Sequence, residues 1–311
     1  MRSSSHFMFL AILVAQPGAL TAQRTPPVID MHMHANSVTR DANGVPLSGP
    51  CNPAPCQGPR AQATTAEEVL SLTLEAMDRY NIVLGFLSQY PLDQVYHWVA
   101  SAPDRFIASP MVLDPEHIDL GDLRKEYEAG RLGGLGELTV QYAGIAADDP
   151  NLEPFYALAE ELDLPVLIHQ HGTGGPSQRF RIALGHPEDL EEVLVRHPTL
   201  RIYIEASGFP FLEETIALMY RYPNVYGDLS LWKYPREVFH SYLGALVEAG
   251  LGKRLMFGSD QMQWPEIIDI TVDAIESAPF LNPEQKRDIF YNNAARFLRL
   301  SQAQIAAHHG N

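Results

Sequence analysis

Eight short apolar or β-branched runs, separated by longer stretches with helical character, constrain this chain more than any other feature of its sequence. They are Val28 to His34, Asn81 to Ser88, Phe106 to Met111, Leu135 to Leu138, Pro165 to His169, Arg201 to Ala206, Asn224 to Leu229 and Arg254 to Asp260. Their starts lie roughly 32 residues apart on average, the length of one strand-plus-helix unit. Repeated βα units imply a parallel sheet, and eight of them favour a closed (β/α)8 TIM barrel over an open sheet. A chain of 311 residues with 46% hydrophobic and 19% charged residues can fill such a barrel as a single domain.

Helix punctuation falls between the runs. Thr65 with Glu68 reads as a capping box, and Asn282-Pro283 as an N-cap followed by proline at the first helical position. Leu152, Phe155, Tyr156 and Ala159 recur at three- and four-residue spacing and mark a buried helical face, as Ile216, Leu218, Met219 and Tyr222 do less strictly. Near the C-terminus, a helix carrying Phe290, Ala294, Phe297 and Leu298 is expected on the barrel exterior, with residues 301–311 as a flexible tail.

The N-terminal 22 residues read as a secretory signal. Arg2 precedes the nine-residue apolar run Phe7 to Ala15, and Pro17-Gly18 breaks it ahead of the small residues near Ala22. As a helix this run reaches only about 13 Å, against roughly 30 Å of bilayer core. The expected organisation is therefore a signal peptide over 1–22 and a barrel domain over 23–300, exported to the periplasm or beyond and free of the membrane after cleavage. Cys51 and Cys56 bracket a Pro-rich loop; an oxidising compartment would join them, and two free thiols are the alternative. A net charge of −16 repels nucleic acid and anionic lipid, leaving a small molecule as the expected partner.

The strongest chemical signal is Asp30-Met31-His32-Met33-His34 at the end of the first run. Residues two apart on a strand share a face, so both imidazoles can converge on one ion beside the barrel axis. Barrel enzymes place their chemistry at this rim, and His169 and Asp260 end two other runs. Three imidazoles and a carboxylate suit a divalent metal, zinc first, with manganese or iron as alternatives. His97, His117, His186, His197 and His240 have no partner motif and read as surface residues.

These segments, with Leu164-Pro165-Val166-Leu167-Ile168-His169, Arg254-Leu255-Met256-Phe257-Gly258-Ser259-Asp260 and Asn292-Asn293-Ala294-Ala295-Arg296-Phe297, resemble the amidohydrolase superfamily. The resemblance is to its branch of metal-dependent hydrolases and carboxylate decarboxylases related to aminocarboxymuconate semialdehyde decarboxylase, and covers about residues 26 to 300. It implies His32, His34 and His169 as metal ligands, Asp260 as a ligand or the proton-handling carboxylate, and a homodimer. The superfamily often has a lysine or glutamate bridging two metals at the fourth strand; Glu137 stands there and either bridges or caps the barrel mouth. The usual sixth-strand histidine is replaced by Ala206; Glu205, if the strand shifts by one, or His171 could stand in.

The implied activity is hydrolysis of a small amide, ester or lactone by a metal-activated water, with Asp260 handling the proton. A decarboxylase of a small carboxylic acid is the alternative, with Arg60, Arg179, Arg181 or Lys233 as anchor for the acid. A metal-binding barrel that has lost catalysis is the third reading, prompted by Ala206. Specificity is expected in the rim loops Asn36 to Thr64 and Gly172 to Gly185.

Overall fold

A computed structural model describes residues 25–40, 44, 63–175 and 177–310. The expected signal segment, both cysteines and Arg60 lie outside these residues. Eight parallel strands run in order: β1 (Val28–His34), β2 (Ile82–Gln89), β3 (Phe106–Pro110), β4 (Leu135–Leu138), β5 (Pro165–Ile168), β6 (Arg201–Ile204), β7 (Val225–Asp228) and β8 (Leu255–Met256). Ladder pairing makes two arcs, β1-β2-β3 and β4 through β8. Two seams join them into a barrel. Val112 pairs with Leu138 between the third and fourth strands, while Met31 N–H donates to Phe257 O (2.9 Å) and Asp260 N–H to His32 O (2.8 Å) between the last and the first.

The principal helices after the eight strands are α1 (Ala66–Arg79), α2 (Asp93–Ser101), α3 (Leu120–Glu128), α4 (Glu153–Glu161), α5 (Glu191–Arg196), α6 (Leu212–Arg221), α7 (Arg236–Glu248) and α8 (Glu266–Glu276). Thr65 caps α1 by accepting from Glu68 N–H, but the Glu68 carboxylate accepts from Thr64 N–H rather than closing a full capping box. The apolar stripe of α4 is buried as its spacing predicts, with Phe155, Tyr156 and Ala159 all inside.

Inside the barrel, Ile29, Met31, Leu84, Phe86, Leu167, Tyr203 and Met256 form a separate core. Phe86 and Tyr203 meet edge-to-face across the lumen with centroids 5.7 Å apart. Burying aromatic rings of this size is worth about 4–6 kcal/mol each before loss of side-chain freedom is subtracted. The chain then continues as α9 (Pro283–Arg287), a π-turn (Asp288–Asn292) and α10 (Asn293–Phe297). This segment does not lie on the barrel flank: Tyr291, Ala294 and Phe297 join the lumenal core, and Phe297 meets Tyr203 edge-to-face with centroids 5.3 Å apart, so it plugs the lower end. Asn293 anchors the plug by donating to the carbonyls of Gly252 (2.9 Å) and Leu255 (2.7 Å).

The tail expected to be flexible carries a helix, α11 (Gln302–His308), set by a full capping box between Ser301 and Gln304. His308 Nδ1 lies 2.9 Å from Tyr291 Oη, which ties this helix to the plug.

Candidate metal centre

β1 delivers its histidines through a bulge. Asp30 pairs with Gly85 and Met33 with Leu87, so three steps on β1 face two on β2. Ile29 and Met31 therefore fill the lumen below, Met33 packs outside, and both His32 and His34 face into the mouth. β4 carries a similar irregularity between Leu135 and Leu138, which turns Glu137 inward. It depends on Gly136, at φ +107, where a Cβ would stand 2.2 Å from Leu167 O. In β5 and β6, Ile168 pairs with Ile204, so His169 and Glu205 stand level just beyond the ladder.

The site is knit from these ends. His32 and His34 hold their Nε2 atoms 3.1 Å apart. Glu137 Oε2 lies 3.4 Å from the first and 3.2 Å from the second, and Asp260 Oδ1 lies 3.8 and 3.3 Å from them. The outer nitrogens are also fixed: Asp228 Oδ2 sits 2.9 Å from His32 Nδ1, and Ser88 Oγ 3.1 Å from His34 Nδ1. Outward-facing bonds of this kind leave Nε2 of each ring for an ion. Asp260 Oδ2 accepts from Trp232 Nε1–H (3.1 Å) and lies 3.5 Å from Lys233 Nζ.

His169 occupies a different position from the one its sequence spacing predicts. It does not join His32, His34 and Asp260, whose donor atoms lie within 4.8 Å of one another, but groups with His171 and Glu205. Glu137 links the two groups, with Oε1 2.9 Å from His169 Nδ1 while Oε2 faces His32 and His34. The sixth strand needs no one-residue slip to bring Glu205 in. The strand ends at Ile204, Glu205 turns into the mouth, and Ala206 and Ser207 follow in left-handed conformation, with Ala206 N–H donating to Asp228 Oδ1 at 2.8 Å. Tyr142 and Phe180 flank His169, their centroids 4.7 and 6.1 Å from its ring.

Electrostatics at the mouth follow from burial and crowding. Burial opposes charging of His34, but Asp260 and Glu137 beside it raise its pKa to about 9. Burial likewise opposes charging of His32 and His169, and the facing carboxylates, Asp228 and Glu205 first among them, hold both well above the ordinary histidine range. Glu137, despite burial, is held well below the usual carboxylate range by His169, His32 and His34. Asp260 is lowered by Lys233 and His34 against the effect of burial, so it stays ionised. Burial keeps His171 neutral by lowering its pKa.

The donors fit a divalent ion. Glu137, Glu205, Asp228 and Asp260 put four buried carboxylates around the mouth against one ammonium, Lys233, when the imidazoles are neutral. Nitrogen and oxygen donors in this mixture suit zinc, manganese or iron. Asp228, Ser88 and Trp232 escape sequence reasoning, because strand-end register alone brings them to the ligands. Of the cations read as anchors, Arg179 and Arg181 are exposed on the loop after β5, and Lys233 reaches the centre. His197 is not a surface residue but is buried between Glu153 and Glu160 at 2.9 and 3.0 Å.

Fold and mouth together define a (β/α)8 barrel with a carboxylate- and histidine-rich centre at the C-terminal ends of its strands. The chain belongs to the amidohydrolase family, whose model matches residues 29–300. Its fold is shared with an uncharacterised TIM-barrel protein from Bordetella bronchiseptica (22% identity, 79% of this chain and 85% of that one, TM-score 0.61). A probable 2-pyrone-4,6-dicarboxylic acid hydrolase from Acinetobacter baumannii is similar at 15% identity over 88% and 99% of the chains (TM-score 0.59). So is a 5-carboxyvanillate decarboxylase from Sphingomonas paucimobilis, at 18% identity over 88% and 99% (TM-score 0.55). A comparison with curated proteins gives no match. Family members include hydrolases and decarboxylases, and divalent metal is typical of them.

Proposed function

We propose that the chain is a metal-dependent hydrolase of a small amide, ester or lactone, with His32, His34, Glu137 and Asp260 as the ligand set and Asp260 as the proton carrier. The observation that carries this reading is the Asp260 carboxylate, kept ionised and split in its duties: Oδ1 faces His34 Nε2 at 3.3 Å, while Oδ2 is held by Trp232 and Lys233. A divalent ion held here supplies a lowered pKa for bound water, toward about 7, and polarises a substrate carbonyl. Asp260 Oδ1 takes the proton as the water oxygen bonds to the carbonyl carbon, and returns it to the departing amine or alcohol oxygen as the carbonyl–heteroatom bond breaks. Trp232 and Lys233 fix the carboxylate so that little reorganisation is needed. Tyr142 and Phe180 wall the mouth on the His169 side and exclude water there.

Lys233 favours decarboxylation of a small acid as a second reading, since its ammonium borders the centre and is the cation placed to take a carboxylate. An assay panel of esters, lactones and amides, with and without chelator, together with carbon dioxide detection on aromatic and aliphatic acids, separates the two. Asp260→Asn is expected to fold and to lose turnover by at least about 100-fold. Near-wild-type hydrolysis by that variant would refute the assignment, and chelator-sensitive carbon dioxide release would select the decarboxylase.

A further inference from the structure

We infer that the lower end of the barrel, opposite the mouth, carries a binding site for a small carboxylate with an apolar body. This site depends neither on the proposed hydrolase activity nor on an ion at the mouth.

A cavity of about 390 Å³ opens there, between the plug and the terminal helix α11. That volume is in the range of small-molecule sites. Its apolar wall is Ala295 from α10, Leu300 from the turn that follows and Ile305 from α11; Arg296, Arg299 and Gln302 line much of the rest. Guanidinia facing hydrocarbon suit an amphipathic anion better than a fully hydrated one. The body of the ligand takes the apolar wall out of water, and the guanidinium forks take the carboxylate.

The chain brings both arginines to the cavity through an unusual turn. Leu300 N–H donates to Ala295 O (3.0 Å) and Arg299 N–H to Arg296 O (3.1 Å), the two bonds of a Schellman motif that closes α10. The left-handed residue of this motif is Arg299, at φ +56, where glycine is the residue free of steric cost. Glycine would close the helix with less strain, but it would remove one of the two guanidinia from the cavity.

Positive charge at this end is not consumed internally. Arg296 donates to Tyr226 Oη (3.3 Å), to Asn293 Oδ1 (2.8 Å) and to the Lys253 carbonyl, so its partners among the described residues include no carboxylate. Arg299 reaches Asp163, but Arg201 Nε holds the same carboxylate at 2.9 Å. Three guanidinia thus stand against Asp163. The Asp288 carboxylate, bonded to Asn292 of the cavity lining (2.9 Å), is 4% exposed and paired with Lys253. In a chain of net charge −16, anions are repelled over most of the surface, and a local surplus of guanidinium beside an apolar wall is where one can settle.

The test uses the full-length protein stripped by chelator, so that no ion at the mouth competes for the ligand. Isothermal titration with benzoate is expected to show one saturable site per chain. No saturation by about 10 mM, a concentration ample for a ligand with this many heavy atoms, overturns the site. Arg299→Gly keeps a residue suited to the left-handed turn, so it is expected to melt within a few degrees of wild type while binding benzoate at least about 10-fold more weakly. Unchanged binding in this variant overturns the role of Arg299. Lys233→Gln, which removes the ammonium at the mouth, is expected to bind benzoate as wild type does; lost binding there with retained binding in Arg299→Gly puts the ligand at the mouth and overturns the inference. Inorganic phosphate titrated in parallel is expected to bind at least about 10-fold more weakly than benzoate, and equal affinity overturns the apolar half of the assignment.

Discussion

Asp228 is the residue on which the electronic state of His32 depends, and replacing it by asparagine isolates that effect. Its Oδ1 accepts three bonds, from Ala206 N–H (2.8 Å), Ser230 N–H (3.1 Å) and Ser230 Oγ–H (2.6 Å), which fix the orientation of the side chain. An asparagine must keep its carbonyl oxygen at that position, so its amide nitrogen lands where Oδ2 now faces His32 Nδ1 at 2.9 Å. Two donors then oppose each other. His32 relieves the conflict by moving its proton to Nε2, the nitrogen that faces His34, Glu137 and the proposed ion. The variant should fold, because all three bonds to Oδ1 survive, but ion affinity should fall 10- to 100-fold, or about 1.4–2.8 kcal/mol. Competition titration against a chromophoric chelator, with circular dichroism as the folding control, reads this directly. Wild-type affinity in a folded Asp228→Asn protein would refute the tautomer argument. Asp228→Ala is a poorer probe, since it strands three buried donors at about 1–3 kcal/mol each.

Two further outcomes follow from the geometry. In metal-free protein, His34 has its pKa raised from 6.5 to about 9, so the stability it contributes is complete below pH 6.5 and is lost as pH rises to 9; thermal melts should show a fall on the order of 3 kcal/mol over that window, and a flat profile would contradict the carboxylate pairing. Gly136→Ala places a Cβ 2.2 Å from Leu167 O at a φ of +107, so urea unfolding should show a loss of about 2–5 kcal/mol; an unchanged midpoint would mean that β4 does not need its bulge.

The barrel was legible because strand spacing and apolar runs repeat along the chain, and β1 and β4 lie where their sequences predict. The later strands are shorter than their apolar runs: Arg254 to Asp260 reads as one strand, but only Leu255–Met256 pairs in the ladder, and the remainder turns out to position Asp260 in left-handed conformation. Such a turn leaves no periodic signal. His32, His34 and Asp260 can be brought to one rim from the sequence alone, because strand ends of a barrel share it. Separation of His169 from them cannot be read that way, since it depends on bulges and on the level of Glu205, which arise from pairing between strands. The helix in the tail is only half legible: Ser301 and Gln304 carry the capping signal, but the contact of His308 with Tyr291 has no local signature.

The seam between the last and first strands has a bearing on how the protein matures. Ser259 and His32 are bonded across 227 positions of chain, so the cradle proposed for the ion exists only after both the first and the last strand have been made and have folded. Nascent or partly threaded chains expose the histidines without the partners that give them affinity. For the proposed ion, loading would therefore be a late event, governed by whichever ions are available where folding finishes.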